Sequence, residues 1–354
     1  MAPPIRFSEA DWDRIERDYS AWWAGELGRP LIYMVRTEPG GPAPSRFLPN
    51  HPGASPEELC ERFGRVFRRQ HFQADGFPFW FINFGAGALA AFLGARLNAR
   101  PDTVWFEPSD PKPIHEIAPQ LDPENPWWRR VVDVTRTAVD YWDGMVAISH
   151  TDLGGTLDVL ASLRTTQGLL TDLVDAPGEV ERALWRISEI WRECYTRLDR
   201  IIRPTCRGTV PWARNWSKDR TYMLQCDFVA MISPSMGRRF LVPELADVCR
   251  SLDDPFYHLD GPGALPQLDA LLEIGPLKGI QWIPGAGAAE PAEWPDVLRR
   301  IRDAGKLCQI SASPSQVLDV CETIGGKGFQ FIVGGLPDDE AAAFLKDVDR
   351  ARAG

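Results

Sequence analysis

The chain of 354 residues has no Cys-x-x-Cys pair, and its seven cysteines are scattered at 60, 194, 206, 226, 249, 308 and 321. A core this large needs no staples, so the odd, dispersed set excludes a disulfide framework and fits reduced thiols. Long hydrophobic runs are missing too: stretches such as 86–93 are too short and too glycine-broken to cross a bilayer. The opening Met1-Ala-Pro-Pro-Ile-Arg has no signal-peptide core, which makes a cytoplasmic location the expectation. Positive charge is scarce. Lys and Arg number 39 against 49 Asp and Glu, a formal net charge of −10, which argues against nucleic acid as a partner. No GxGxxG or GxxxxGK[ST] loop follows an early strand, and no GxSxG elbow, HExxH helix or EF-hand loop occurs. The residues are otherwise 44% hydrophobic and 25% charged, which excludes a disordered or fibrous chain.

Periodic patterns fill the sequence. Trp12, Ile15, Tyr19, Trp22 and Trp23 recur at helical spacing behind Ser8, a helix-capping residue. Residues 30–35 read as a buried strand, followed by a long Gly/Pro-rich loop from 37 to 56 of the kind that serves as a lid or mobile surface. Helices are expected at 56–67, 86–93 and 125–142, and strands at 77–84 and 145–148. Residues 103–106 are a further extended candidate. A long helical stretch precedes extended candidates at 207–212 and 222–227. Four more strands begin at 255, 279, 306 and 329, separated by helical patterns at 264–272, 294–304 and 315–324. That repeat is the length of a βα unit and requires parallel strands. Leaving 103–106 aside, the nine strand candidates are one more than an eight-stranded barrel needs, so one early strand is expected to be peripheral. The reading is a single (β/α)8 barrel over residues 1–354, with residues 1–28 as an N-terminal helical extension.

In such a barrel the reacting groups stand at the C-terminal strand ends. The candidates there are His150 and Asp152, then Cys226 and Asp227, then His258 and Asp260, then Gln281 and Trp282. Strand alternation puts His258 and Asp260 on one face with Gln281, and Trp282 opposite. A His-x-Asp pair can bind a divalent metal or perform acid–base chemistry; capping and wall hydrogen bonds are the structural alternative. Most of the 14 tryptophans belong to packing. Trp80, Trp105 and Trp282 adjoin presumed strand ends and, with Asn83, are candidates for shaping a substrate pocket.

The segments Pro30-Leu-Ile-Tyr-Met-Val-Arg36, Thr151-Asp-Leu-Gly-Gly-Thr-Leu-Asp, 227–243 and His258-Leu-Asp-Gly-Pro-Gly resemble the uroporphyrinogen decarboxylase superfamily. Trp22-Trp-Ala-Gly-Glu, Phe84-Gly-Ala-Gly-Ala-Leu and Gln281-Trp-Ile-Pro-Gly-Ala-Gly narrow the resemblance to a decarboxylase-like, corrinoid-methyltransferase-like subgroup. The resemblance covers about residues 25–345 and implies a (β/α)8 barrel. It implies an arginine pair for a polycarboxylate after the first strand, of which only Arg36 is present. In the superfamily's methyltransferases it implies zinc held by His-x-Cys and a later cysteine. Here His258 matches, Asp260 replaces the first cysteine, and Gly335 falls near the second.

The expectation is therefore a methyltransferase-like enzyme acting on a small methylated substrate or a corrinoid-bound methyl group. His258 and Asp260 would serve as metal ligands, possible zinc ligands, or as acid and base, assisted by Asp227, His150 and Asp152. Arg36, Trp80, Asn83, Trp105, Cys226, Gln281 and Trp282 would contact substrate. A corrinoid would arrive on a partner protein. A decarboxylase or lyase using Arg36 as an anion clamp is the alternative, and a non-catalytic ligand-binding barrel is the third. Oligomeric state leaves no mark in the sequence.

Overall fold

A computed structural model describes residues 5–41 and 43–353. Among these residues the strands are β1 Leu31–Thr37, β2 Gln70–Ala74, β3 Phe79–Trp80, β4 Arg96–Ala99, β5 Val104–Glu107, β6 Ala147–Ile148, β7 Thr221–Gln225, β8 Asp254–Asp260, β9 Gly279–Ile283, β10 Leu307–Ser311 and β11 Phe329–Gly334. The main sheet runs β2-β1-β11-β10-β9-β8-β7, parallel throughout except for β2, which lies antiparallel on β1. β3 and β6 form a separate parallel pair, and β4 and β5 an antiparallel hairpin. Side chains from β1 and β7 of the main sheet reach the segments that flank that pair. Tyr33 Oη donates to Phe77 O (3.2 Å) beside β3; Tyr222 Oη donates to Thr151 O (3.3 Å) and accepts from Leu153 N (2.7 Å) beyond β6. This mixed α/β architecture is compatible with an α/β barrel.

Local chemistry sets the helix boundaries. Ser8, Ser55 and Ser313 close capping boxes at the starts of helices Glu9–Trp23, Pro56–Phe67 and Pro314–Thr323, each satisfying orphan amides. Asn125 accepts from the amides of Trp127 and Trp128 to start Pro126–Trp142.

The inner face of the sheet is layered by register. Met223, Phe256, Gly279 and Leu307 are neighbours across β7 to β10. Gly279 is needed there, since a Cβ would lie 2.1 Å from the Phe256 ring and 2.7 Å from Leu307 O. The next layer is polar: Gln225, His258, Gln281, Gln309 and Gln330 stand side by side on β7 to β11. The apolar layer is plugged from below by helix Glu9–Trp23, whose Trp12, Ile15, Tyr19 and Trp22 pack with Phe77, Trp216 and Phe256. The expected N-terminal helix is thus the floor of the inner space. The outer face, including Tyr257, Ile280, Trp282 and Cys308, is buried in the larger core against the surrounding helices.

Three expectations need correction. Residues 207–212 form no strand; they belong to a loop with one bridge, Thr209 to Ser217, and Val210, Ala213 and Trp216 join the floor cluster. Alternating apolar residues arose there from plugging the inner space, not from a ladder. Gln70–Ala74 was not expected as a strand because an edge strand half-buried at every position has no apolar rhythm. The helix expected at 86–93 shrinks to Leu89–Phe92, because Gly85 and Gly87 adopt positive φ of 98° and 88°.

Candidate active site

His258 and Asp260, two residues apart on β8, present their side chains to the same inner face. Asp227 follows β7 in the turn Asp227–Met231, which Asp158 holds by accepting from the amides of Asp227 (3.1 Å) and Phe228 (2.8 Å). Gly155, just before the helix carrying Asp158, lies against Gln225 O; a Cβ would come within 2.1 Å of that oxygen. This close approach brings the Asp158 helix onto the end of β7. Ligand-type atoms of Asp227, His258 and Asp260 all lie within 4.8 Å of one another, with Asp227 exposed and the other two half-buried. Gln281 meets the His258 ring at Nδ1, and the Trp212 ring packs edge-on against the imidazole with centroids 5.1 Å apart.

The site is rich in negative charge. Burial pushes the Asp152 carboxyl up to about 7 against the opposing Gly154 amide, and the charge of Asp227 adds to the rise. Burial and then Asp227 push Asp158 to about 7 as well. Partial loss of hydration in the site also raises Asp227, exposed though the residue is; His258 opposes this and Asp260 reinforces it. Asp227 thus shares its field with three further carboxyls, those of Asp152, Asp158 and Asp260, and with one imidazole. Such a set is relieved by protons or by a cation, and a donor set of one imidazole and two accessible carboxylates suits a divalent metal. The third ligand position implied by the family resemblance is closed. A Cβ on Gly335 would lie 2.4 Å from the Arg36 backbone, so no thiolate fits there, and Asp227 is the third donor on hand.

Beside Trp212 opens a cavity of about 660 Å³, over the ends of β1, β3 and β11. Its lining includes Tyr33, Phe63, Trp80, Asn83, Trp212 and two arginines, Arg46 and Arg214. Neither arginine makes an ion pair among the described residues, and the buried indole N–H groups of Trp80 and Trp212 have no protein acceptor. Arg46 comes from the long loop after β1. Arg214 is held in a left-handed backbone conformation (φ 68°), with its guanidinium 5.4 Å from the Tyr33 ring centroid.

The sequence-derived residues divide accordingly. His258, Asp260, Asp227 and Gln281 come together, with Asp152 beside them through Gln225 Nε2 (3.5 Å). Trp80 and Asn83 line the adjacent cavity. Five others lie elsewhere. Arg36 has the opposite strand parity to the cavity-lining Tyr33 and Val35, and lies 3.5 Å from Asp338. Trp282 is fully buried on the outer face against Trp294. Cys226 is buried, and desolvation raises its thiol well above the ordinary range, away from nucleophilic use. Trp105 sits on the β4–β5 hairpin, 63% exposed. His150 stacks on Tyr195 (4.4 Å, 11°) under the long helix Pro177–Ile202, and neither ring nitrogen has a partner.

His150 yields a stability prediction. Burial, then the positive charge of Arg220, lowers its pKa to about 3. An unfolded imidazole takes a proton near 6.5, so the neutral buried ring favours folding fully above that pH and loses ground as pH falls toward 3. Replacing His150 by Phe keeps the stacked ring and removes two unpaired polar atoms. Melting temperatures should match or exceed the parent at pH 8, with the advantage widening at pH 6 and 5. An unchanged acid loss would contradict this account.

Among solved structures the chain is similar to a methyltransferase from Methanosarcina mazei, with a TM-score of 0.60 at 14% identity over 95% of this chain and 98% of that one. The likeness is one of fold. No protein-family model and no curated protein matches the chain.

Proposed function

We propose that the chain is a metal-assisted enzyme of the methyltransferase type, acting on a small anionic molecule at the C-terminal strand ends of a closed (β/α)8 barrel. The observation that carries the reading is the accessible Asp227–His258–Asp260 constellation beside an aromatic cavity with two unpaired arginines. The fold shared with a methyltransferase supports the reaction class.

His258, Asp227 and Asp260 would hold a divalent ion, zinc in the first instance. That ion would supply Lewis acidity, lowering the pKa of an acceptor group so that it reacts as its anion. Arg46 and Arg214 bind the anionic end of the substrate, and the Trp80 and Trp212 indoles donate to its acceptors. Phe63, Tyr33 and Trp80 exclude water from its apolar body. Asp152, whose carboxyl burial pushes up to about 7, can hold a proton near neutrality and so limits the negative charge beside Asp227. A cavity of this volume takes one small molecule, so a corrinoid methyl donor would be presented by a separate protein.

Metal analysis of the purified chain, followed by zinc titration of chelator-treated protein, tests the reading. About one zinc per chain is expected, together with methyl transfer that falls with the metal and returns with it. Folded protein that binds no divalent ion would overturn it and favour a carboxylate lyase clamped by Arg46 and Arg214.

A further inference from the structure

The polar layer contains a chain of hydrogen bonds whose direction is set from its far end. Gln309 Nε2 lies 2.8 Å from Ala213 O and 2.7 Å from Gln330 Oε1. Gln330 Nε2 lies 3.0 Å from Arg214 O and 3.1 Å from Tyr19 Oη. A backbone carbonyl only accepts, so each of these amides must turn its NH2 toward the loop. Two independent carbonyls, of residues 213 and 214, therefore impose the same polarity. It follows that Gln309 Oε1 faces Gln281, that Gln281 Nε2 donates to it, and that Gln281 Oε1 faces His258 Nδ1. Only a protonated Nδ1 satisfies the last link. The neutral ring carrying its proton on Nε2 would set two acceptors against each other.

We infer that Gln281, Gln309 and Gln330 are positioning residues that fix His258 as its Nδ1–H form and leave Nε2 as the nitrogen with a free lone pair. This deepens the metal reading, since Nε2 is then the ligating atom, yet the relay itself stands without a metal. An apolar layer would have packed as well, and most buried layers at this depth are apolar. The relay also explains why the loop with the strained Arg214 closes on the inner space. The same backbone that places the Arg214 guanidinium in the cavity anchors the imidazole orientation through three side chains. Outer partners of this kind set ligand tautomer and orientation, and their loss costs about 10–100-fold in metal affinity.

The test is nitrogen-15 NMR of histidine-labelled, chelator-treated full-length protein at about pH 9, where ordinary imidazoles are neutral. His258, assigned by its absence in His258→Ala, should show a protonated Nδ1 and an unprotonated Nε2. Gln281→Leu and Gln309→Leu should release the ring to a mixture of the two forms. Gln281→Glu, which still accepts from Nδ1, should retain the native form. An Nε2–H ring in the native protein overturns the inference whether or not the glutamine variants fold. So does an Nδ1–H ring unchanged in both leucine variants. If no chain binds zinc while these tautomer results hold, the metal reading fails and the relay survives.

Discussion

Asp75→Ala is expected to destabilise the fold by about 3–5 kcal/mol, the range for breaking one side of a buried ion pair. Asp75 is 1% exposed. Its two oxygens accept from Arg29 Nη1 (2.7 Å) and Nη2 (2.8 Å), and one also accepts from Ile32 N (2.8 Å). Arg29 in turn reaches Asp18 on the floor helix at 2.9 Å, and Arg14 of that helix donates to Ala74 O at 2.7 Å. One carboxylate thus ties the entry of β1, the end of β2 and the plug helix together. Alanine leaves a half-buried guanidinium short of a partner and a buried amide unpaired. At roughly 2.1 cal/mol/K of unfolding entropy per residue, a chain of 354 residues should melt about 4–7 °C lower. Asp75→Asn keeps an acceptor for Ile32 N and should lose clearly less. Equal losses in both variants, measured by thermal denaturation, would show that the charge alone holds the joint and that the acceptor for Ile32 N adds nothing. The variant matters to the site as well, because Tyr19 on the same helix closes the far end of the glutamine relay.

Parity explains most of what the sequence could and could not disclose. The alternation of β8 and β9 places His258, Asp260 and Gln281 on one face by counting alone, and the structure brings them together. The same counting applied to β1 turns Arg36 away from Tyr33 and Val35, and applied to β9 turns Trp282 outward. A one-residue difference reverses the face, so proximity to a strand end was the weaker guide for both. Arg46 and Arg214 were hidden for another reason. Each lies in irregular backbone, where no period says which way a side chain points. Asp158 escaped notice because its role is to accept from the amides of a turn about 70 residues away, a contact that only folding creates.

The proposed ligand set predicts its own metal preference, and a single substitution should reverse part of it. His258→Ala removes the only imidazole of the constellation and leaves two mutually repelling carboxylates. Zinc affinity should fall by at least about 100-fold, beyond the 10–100-fold typical of partners that merely orient a ligand. Asp260→Asn keeps the shape and removes one negative charge, and should weaken binding by a similar order. Asp260→Cys is the discriminating change. Oxygen donors accept magnesium and manganese alongside zinc, whereas a thiolate selects softer ions. In competition titrations the parent should bind manganese and zinc within a modest ratio. The cysteine variant should hold zinc more tightly and lose most of its manganese affinity. Because Asp260 sits at the open end of β8 and is half-buried, the exchange creates neither a cavity nor an overpacked core. A variant whose zinc-to-manganese ratio does not move would mean that residue 260 is not a ligand, and that the third donor lies elsewhere around Asp227.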